Sequence, residues 1–172
     1  MSARKKDSCL IEILDEQDFF QVDTERIKLL CEKIIEDFQI RSGRLGIVLV
    51  DDDTIRQYNR DFLAHDYVTD VISFPIEQRL GEAHLEAEIL ACTQVAQQRA
   101  SEFGWTQEEE ILLYIVHGIL HVVGFDDTTT ENRTEMRLKE REYLARIGIN
   151  VPDWDFTDWD FTDRESEEDK SP

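Results

Sequence analysis

The chain has 172 residues, a hydrophobic fraction of 41% and a formal net charge of −20. This composition can supply one ordinary core, and it contains neither an apolar run near the roughly 18 residues of a membrane span nor a signal-peptide segment, so it predicts a soluble cytoplasmic protein. The negative charge excludes a broadly basic nucleic acid-binding surface, because phosphate contacts normally come from Lys and Arg.

The first half of the chain predicts two strand–helix pairs. A short strand at residues 10–14 precedes an amphipathic helix at 24–38, whose apolar residues recur at helical spacing. A strand rich in branched side chains follows at 45–50, and three aspartates then cap a helix at 54–62. In this helix Ile55, Tyr58 and Phe62 are predicted to face the core, which leaves Asn59 and Arg60 at its flank.

The second half predicts two strands and three helices. A strand at 71–74 ends at Pro75, which cannot donate a ladder hydrogen bond, and a loop at 78–82 leads to an alternating strand at 85–91. Helices are predicted at 93–103, at 106–123 and in a last segment that stops at Gly148. The order βαβαββααα indicates an α+β fold, with a small mixed four-stranded sheet and about five helices.

The helix at 106–123 is the element around which the other elements are predicted to pack. Thr106 and Glu109 have the spacing of a capping box at its start, and Gly124 suits the left-handed conformation that follows a helix end. Residues 111–116 are apolar without a break, which predicts a helix buried on most sides and packed against the sheet.

Two histidines in this helix suggest a metal site. His117 and His121 are four residues apart, so both imidazoles lie on one helical face and can reach one ion. The turn after the helix could return Asp126 or Asp127 as an oxygen ligand, which completes the ligand set of a hydrolytic zinc site. A thermolysin-like protease is disfavoured, because Gly118 occupies the position of its general base. The alternative is that both histidines are core residues satisfied by backbone groups.

The segment HGILHVVGFDD at 117–127 is similar to the HGxLHLxGYDH signature of the YbeY-type endoribonucleases. The likeness extends to TDVISFP at 69–75, which resembles the family's PTxVLSFP element, and covers residues 9–148. It implies one zinc ion per chain, held by His117, His121 and Asp127, with another divalent transition metal as the alternative. Asp127 stands where the family has a third metal histidine, and Leu63 stands where the family usually has an arginine.

The resemblance implies single-strand-specific, metal-dependent cleavage of RNA in rRNA maturation and ribosome quality control. Asp126 is then the candidate catalytic residue, as an orienter of a ligand or as a proton acceptor. The implied partners are single-stranded or ribosomal RNA and components of the small ribosomal subunit, with no membrane. Two alternatives stay open: a ribosome-associated binding module with a structural metal, which Leu63 and the acidic surface favour, and a metal hydrolase for a small phosphorylated substrate.

The chain is predicted to form one hydrolase domain at residues 1–150 and an acidic tail at 151–172. From Asp153 onward nine acids stand against Arg164 and Lys170, so the tail contributes −7 to the net charge and leaves −13 on the domain. The tail repeats DWDFT at 153–157 and 158–162, which is too little sequence for a core. We expect it to be disordered; docking of its aromatic residues on a basic partner is the alternative.

Overall fold

The structure is a computed structural model that describes residues 8–151, so the predicted tail from residue 152 onward lies outside the described residues. The elements occur in the predicted order, and a 3₁₀ turn, Leu80–Glu82, joins the third strand to the fourth. In the described range, no helix has both the length and the apolar character needed to cross a bilayer. The elements are β1 (Leu10–Asp15), α1 (Thr24–Asp37), β2 (Ser42–Val50), α2 (Asp52–Leu63), β3 (Val71–Arg79), β4 (His84–Cys92), α3 (Thr93–Phe103), α4 (Gln107–Val122) and α5 (Thr130–Arg146).

The four strands form one mixed sheet in the order β1-β2-β4-β3. β1 and β2 run parallel, as do β2 and β4, whereas β3 is antiparallel to β4. The inner strands β2 and β4 contribute most of the buried strand residues, as expected for strands with both faces covered. The predicted α+β fold with a mixed four-stranded sheet is therefore confirmed.

β3 is longer than the sequence predicted. Pro75 was expected to end the strand, but β3 continues to Arg79 with a register shift between Pro75 and Glu77. Proline is tolerated here because β3 is an edge strand, where a missing ladder donor at a bulge leaves no inner strand unpaired. The extension has a structural consequence, since the side-chain amide of Gln78 donates to the carbonyl of Val122 at the end of α4, at 2.8 Å.

α4 lies against the sheet and is buried along most of its length. The predicted capping box is present: Thr106 accepts from the backbone N–H of Glu109, and the Glu109 carboxylate accepts from the backbone N–H of Thr106. Gly118 marks the closest approach to the sheet, because a Cβ at this position would lie 2.7 Å from Cγ2 of Ile89 and 3.0 Å from Oγ of Ser73. The position that holds the general base in thermolysin-like enzymes thus faces the sheet and has no room for a carboxylate.

α2 buries a different face from the predicted one. Ile55 and Asn59 are buried, whereas Tyr58 is 38% exposed and Phe62 is 67% exposed. The prediction that Tyr58 and Phe62 face the core is wrong, because Ile55 and Asn59 already occupy the inner stripe of the helix at i, i+4 spacing. The Asn59 side-chain amide is satisfied there, since it donates to the backbone carbonyl of Tyr67 at 3.0 Å.

Candidate metal centre

Three side chains converge at the carboxyl end of α4. His117 and His121 lie on one face of the helix with their rings edge-on, and Gly124, with a φ of +111°, turns the chain so that Asp127 returns to them. The two Nε2 atoms are 3.0 Å apart, and Oδ2 of Asp127 lies 3.6 Å from Nε2 of His117 and 3.5 Å from Nε2 of His121. Of the two aspartates that the sequence offered as a third ligand, the structure brings Asp127 to the histidines.

The spacing of these three atoms fits a transition metal. The point equidistant from atoms separated by 3.0, 3.5 and 3.6 Å lies about 2.0 Å from each of them in their plane, which matches zinc–nitrogen and zinc–oxygen bonds. His117 is buried, while His121 and Asp127 are partly exposed on the same side. The group can therefore hold one ion with three protein ligands and leave its solvent side open.

Glu140 on α5 fixes the orientation of the first histidine. Its carboxylate is buried, with Oε1 at 2.7 Å from Nδ1 of His117 and Oε2 at 2.9 Å from the guanidinium of Arg137. Burial acts to raise the pKa of Glu140, but the hydrogen bond from His117 and the Arg137 charge outweigh it, and the pKa is lowered. An ionised carboxylate can only accept, so Nδ1 of His117 carries the hydrogen and Nε2 presents its lone pair to the ligand cluster.

No role for Glu140 was predicted from the sequence, although the sequence holds a signal for it. The apolar side of α5 is marked by Met136, Tyr143 and Leu144. Glu140 lies on that side, four residues after Met136 and three before Tyr143. An acid on the apolar face of a helix needs a buried partner. The signal names no partner, because His117 is 23 positions away along the chain.

His121 and Asp127 also have partners that set their charges. Burial acts to lower the pKa of His121, but the hydrogen bond and the negative charge of Asp127 prevail and raise it. The same hydrogen bond lowers the pKa of Asp127. A hydrogen bond with the backbone of Phe125 further restrains His121. Asp127 thus holds His121 in the ligand cluster through their contact, with Oδ2 3.5 Å from Nε2.

Asp126 lies in the turn rather than in the ligand cluster. Its carboxylate accepts from the hydroxyl of Thr128, from the backbone N–H of Asp127 and from the side-chain amide of Asn132. The hydrogen bond from Thr128 is the main reason that the pKa of Asp126 is lowered. These bonds join the turn that carries Asp127 to the first turn of α5.

The ligand cluster opens into a cleft of about 470 Å³. Besides His117, His121 and Asp127, the lining comes from the end of α2, the loop at 64–70 and the first half of β3. Ser73 ties this strand to the metal-site helix, because its hydroxyl donates to the carbonyl of Gly118 at 3.1 Å. The cleft walls combine polar and apolar side chains: Asn59, Leu63, His65, Tyr67, Thr69, Asp70, Val71, Ile72, Ser73, Pro75 and Val122.

Comparison with known proteins relates this arrangement to one family. Residues 12–148 match the family model described as "Endoribonuclease YbeY". The chain is 46% identical over 112 residues to Endoribonuclease YbeY of Rhodopirellula baltica, which covers 64% of this chain and 57% of that protein. It is 34% identical over 134 residues to the Salinibacter ruber protein of the same name, covering 74% of this chain and 85% of that protein. The solution structure of TM1509 from Thermotoga maritima aligns with a TM-score of 0.58 at 30% identity, over 80% of this chain and 89% of that chain.

Proposed function

Because the chain belongs to the YbeY family of endoribonucleases, we propose that it is a metal-dependent endoribonuclease that cleaves single-stranded RNA. The observation that carries this proposal is the convergence of His117, His121 and Asp127 on one point at the wall of an open cleft. We assign these three residues as the ligands of one ion per chain. Zinc is the proposed metal, because two imidazoles and a carboxylate with an open position are a common hydrolytic zinc site.

The roles of the surrounding residues follow from their contacts. When bound, the ion supplies Lewis acidity at a phosphoryl oxygen and a more acidic water. Glu140 holds His117 in the tautomer whose Nε2 can ligate. Of the two roles predicted for Asp126, its hydrogen bonds to Thr128 and Asn132 support the positioning role, since they restrain the turn that carries Asp127.

The biological setting is proposed from the family resemblance alone. We propose that the protein acts in the cytoplasm in rRNA maturation and ribosome quality control, with ribosomal RNA and components of the small subunit as partners. The hydrolase domain is proposed to span residues 1–150, with 151–172 as an acidic tail. A single-stranded RNA is the proposed substrate of this domain, because the cleft is open and its wall carries the aromatic rings of His65 and Tyr67, which unpaired bases can contact.

The test is cleavage of short single-stranded RNAs and rRNA fragments by the purified protein. Activity should disappear on chelation, return on addition of metal and fall by more than about 100-fold in His117→Ala, since the ion contributes several kcal/mol to the transition state. His84→Ala is the matched control, because it removes an imidazole that lies outside the cleft, in the separate group Glu77, His84 and Glu86 that could also hold an ion. Absence of cleavage across these RNAs at full metal occupancy would refute the proposal.

A ribosome-associated binding module with a structural metal is the second candidate. It is favoured by Leu63, which lines the cleft where the family usually carries an arginine, and by the net charge of −20. In that case chelation would lower the melting temperature and ribosome binding together, and no RNA would be cut. A metal hydrolase for a small phosphorylated substrate would instead cut phosphate esters of small molecules and leave RNA intact.

A further inference from the structure

Three aromatic rings form a cluster on α2 and β3, here called the aromatic platform: Tyr58 and Phe62, which are exposed, and Phe74, which is partly buried against the core. The rings of Tyr58 and Phe62 are stacked, with centroids 5.6 Å apart and planes 21° apart. Phe74 supports them from β3, with its ring edge-on to that of Phe62 at 5.5 Å. Phe62 is nevertheless 67% exposed, although exposing a benzyl side chain forgoes much of its burial free energy.

The platform adjoins the candidate cleft. The contact is made through α2, where Asn59, which follows Tyr58, and Leu63, which follows Phe62, line the cleft. On β3 the side chain of Phe74 lies on the strand face opposite to that of Ser73. A second stacked pair, His65 and Tyr67, stands in the cleft wall with ring centroids 5.4 Å apart. Aromatic rings therefore occur both at the exposed end of α2 and in the cleft wall.

The surface beside the platform is also less acidic than the rest of the domain. Arg56 and Arg60 on α2 pair with Asp61 and Asp66, so this patch is electrically balanced, whereas residues 1–150 together carry −13. These four side chains are each about half exposed. Ion pairs between exposed side chains contribute little to stability. Both guanidinium groups can therefore exchange a carboxylate partner for an RNA phosphate at a small cost in folding free energy.

We propose that the aromatic platform stacks an unpaired nucleobase of the single-stranded RNA whose backbone enters the cleft, an inference that rests on the proposed function. Stacking on a ring face is available to every base and requires no charge on the protein, which suits an acidic chain. Bases in a duplex are already stacked on each other and cannot reach the platform. The platform thus supplies a physical basis for preferring single strands, independent of the metal ligands.

Equilibrium binding of a phosphorothioate-linked single-stranded RNA of about eight nucleotides, within the usual site size, tests the platform. Phe62→Ala should weaken binding by about tenfold, and Phe62→Trp should restore it, because the larger ring stacks at least as well. Leu14→Ala is the matched control, since Leu14 is 53% exposed but lies on β1 at the opposite edge of the sheet. A ribose-phosphate oligomer without bases should bind the wild type and Phe62→Ala equally.

The dependence of affinity on salt separates stacking from an indirect electrostatic effect. Loss of a stacked base should lower affinity by the same factor at every salt concentration, because no phosphate contact is removed. Phe62→Ala should also raise KM for an ordinary RNA of the same length more than it lowers kcat. An affinity of Phe62→Ala equal to that of the wild type would overturn the proposal, as would a wild type that is dimeric and becomes monomeric on this substitution.

The outcomes distinguish the platform from the enzyme. RNA cleavage with unchanged affinity in Phe62→Ala removes the platform and leaves the endonuclease assignment intact. Base-dependent binding that Phe62→Ala weakens, without any cleavage, supports the platform and removes the endonuclease assignment. A wild type that neither binds nor cuts RNA refutes both.

Discussion

Replacement of Glu140 by Gln should weaken metal binding without removing any proposed ligand. The carboxylate accepts from Nδ1 of His117 through one oxygen and from Arg137 through the other. A Gln side chain has the same shape but only one oxygen. If that oxygen accepts from Arg137, the amide N–H₂ faces Nδ1 of His117. The imidazole then favours the tautomer with its hydrogen on Nε2, and this Nε2 cannot bind a metal ion. If the oxygen serves His117, two donor groups face each other at Arg137.

The magnitude follows from comparable outer partners of metal-bound histidines, whose loss costs about 10- to 100-fold in metal affinity. That range corresponds to roughly 1.4–2.7 kcal/mol. The melting temperature should fall as well, because the Glu140–Arg137 contact is an almost fully buried ion pair, and weakening such a pair is costly.

Metal affinity is measured by competition with a chelator of known affinity. Glu142→Gln is the matched control, since Glu142 lies one half-turn further along α5 and its side chain is 39% exposed, with Lys139 and Arg146 as partners. Surface pairs of this type are worth little, so the control should retain wild-type affinity. A Glu140→Gln protein whose metal affinity stays within twofold of wild type would show that the tautomer argument is wrong.

Four further substitutions test the site and the core. In the same competition assay, Asp127→Ala should lose more metal affinity than the roughly 10–100-fold expected for an outer partner. Asp126→Ala should lose less than that. The reverse order would identify Asp126 as the ligand. Burial raises the pKa of Glu110 to about 7 from 4.5, so the free energy of unfolding should fall by about 1.4 kcal/mol per pH unit as the pH rises between these values. The Gln side chain in Glu110→Gln stays neutral, so this variant should have a higher melting temperature than the wild type at pH 8 but not at pH 4.5. An equal shift in melting temperature at both pH values would contradict the raised pKa of Glu110. Gly118→Ala should lower the free energy of unfolding, measured in denaturant titrations, by about 1–3 kcal/mol, because the new Cβ would lie 2.7 Å from Cγ2 of Ile89. A stability equal to that of the wild type would show that the sheet can shift at this position.

The fold was predictable because most of its signals are local. The capping box at Thr106 and the left-handed residue at Gly124 depend on neighbours a few positions away, and both appear as predicted. The errors arose where the fold supplies the deciding contact. Pro75 does not end β3, because that strand lies at an edge, and strand order is not encoded in the local pattern.

The residues of the candidate metal site divide in the same way, into those with a local sequence signal and those whose contacts depend on the fold. His117 and His121 were identified from spacing along one helix, and the structure brings Asp127 to them after one turn of chain. Glu140 required knowledge of how α5 packs on α4. The outward orientation of Phe62 likewise depends on which stripe of α2 meets the sheet, and hydrophobicity alone assigns an aromatic ring to the core.

The two departures from the family pattern act in the same electrostatic direction. By the resemblance to the family signature, Asp127 takes the place of a neutral imidazole, and Leu63, in the cleft wall, takes the place of a positively charged arginine. Both weaken the attraction between the site and a phosphodiester, in a chain that already carries −20. Binding by base stacking does not depend on that attraction. The exposed ring of Phe62 next to Leu63 therefore lies where an acidic member of this family would need a contact that requires no charge.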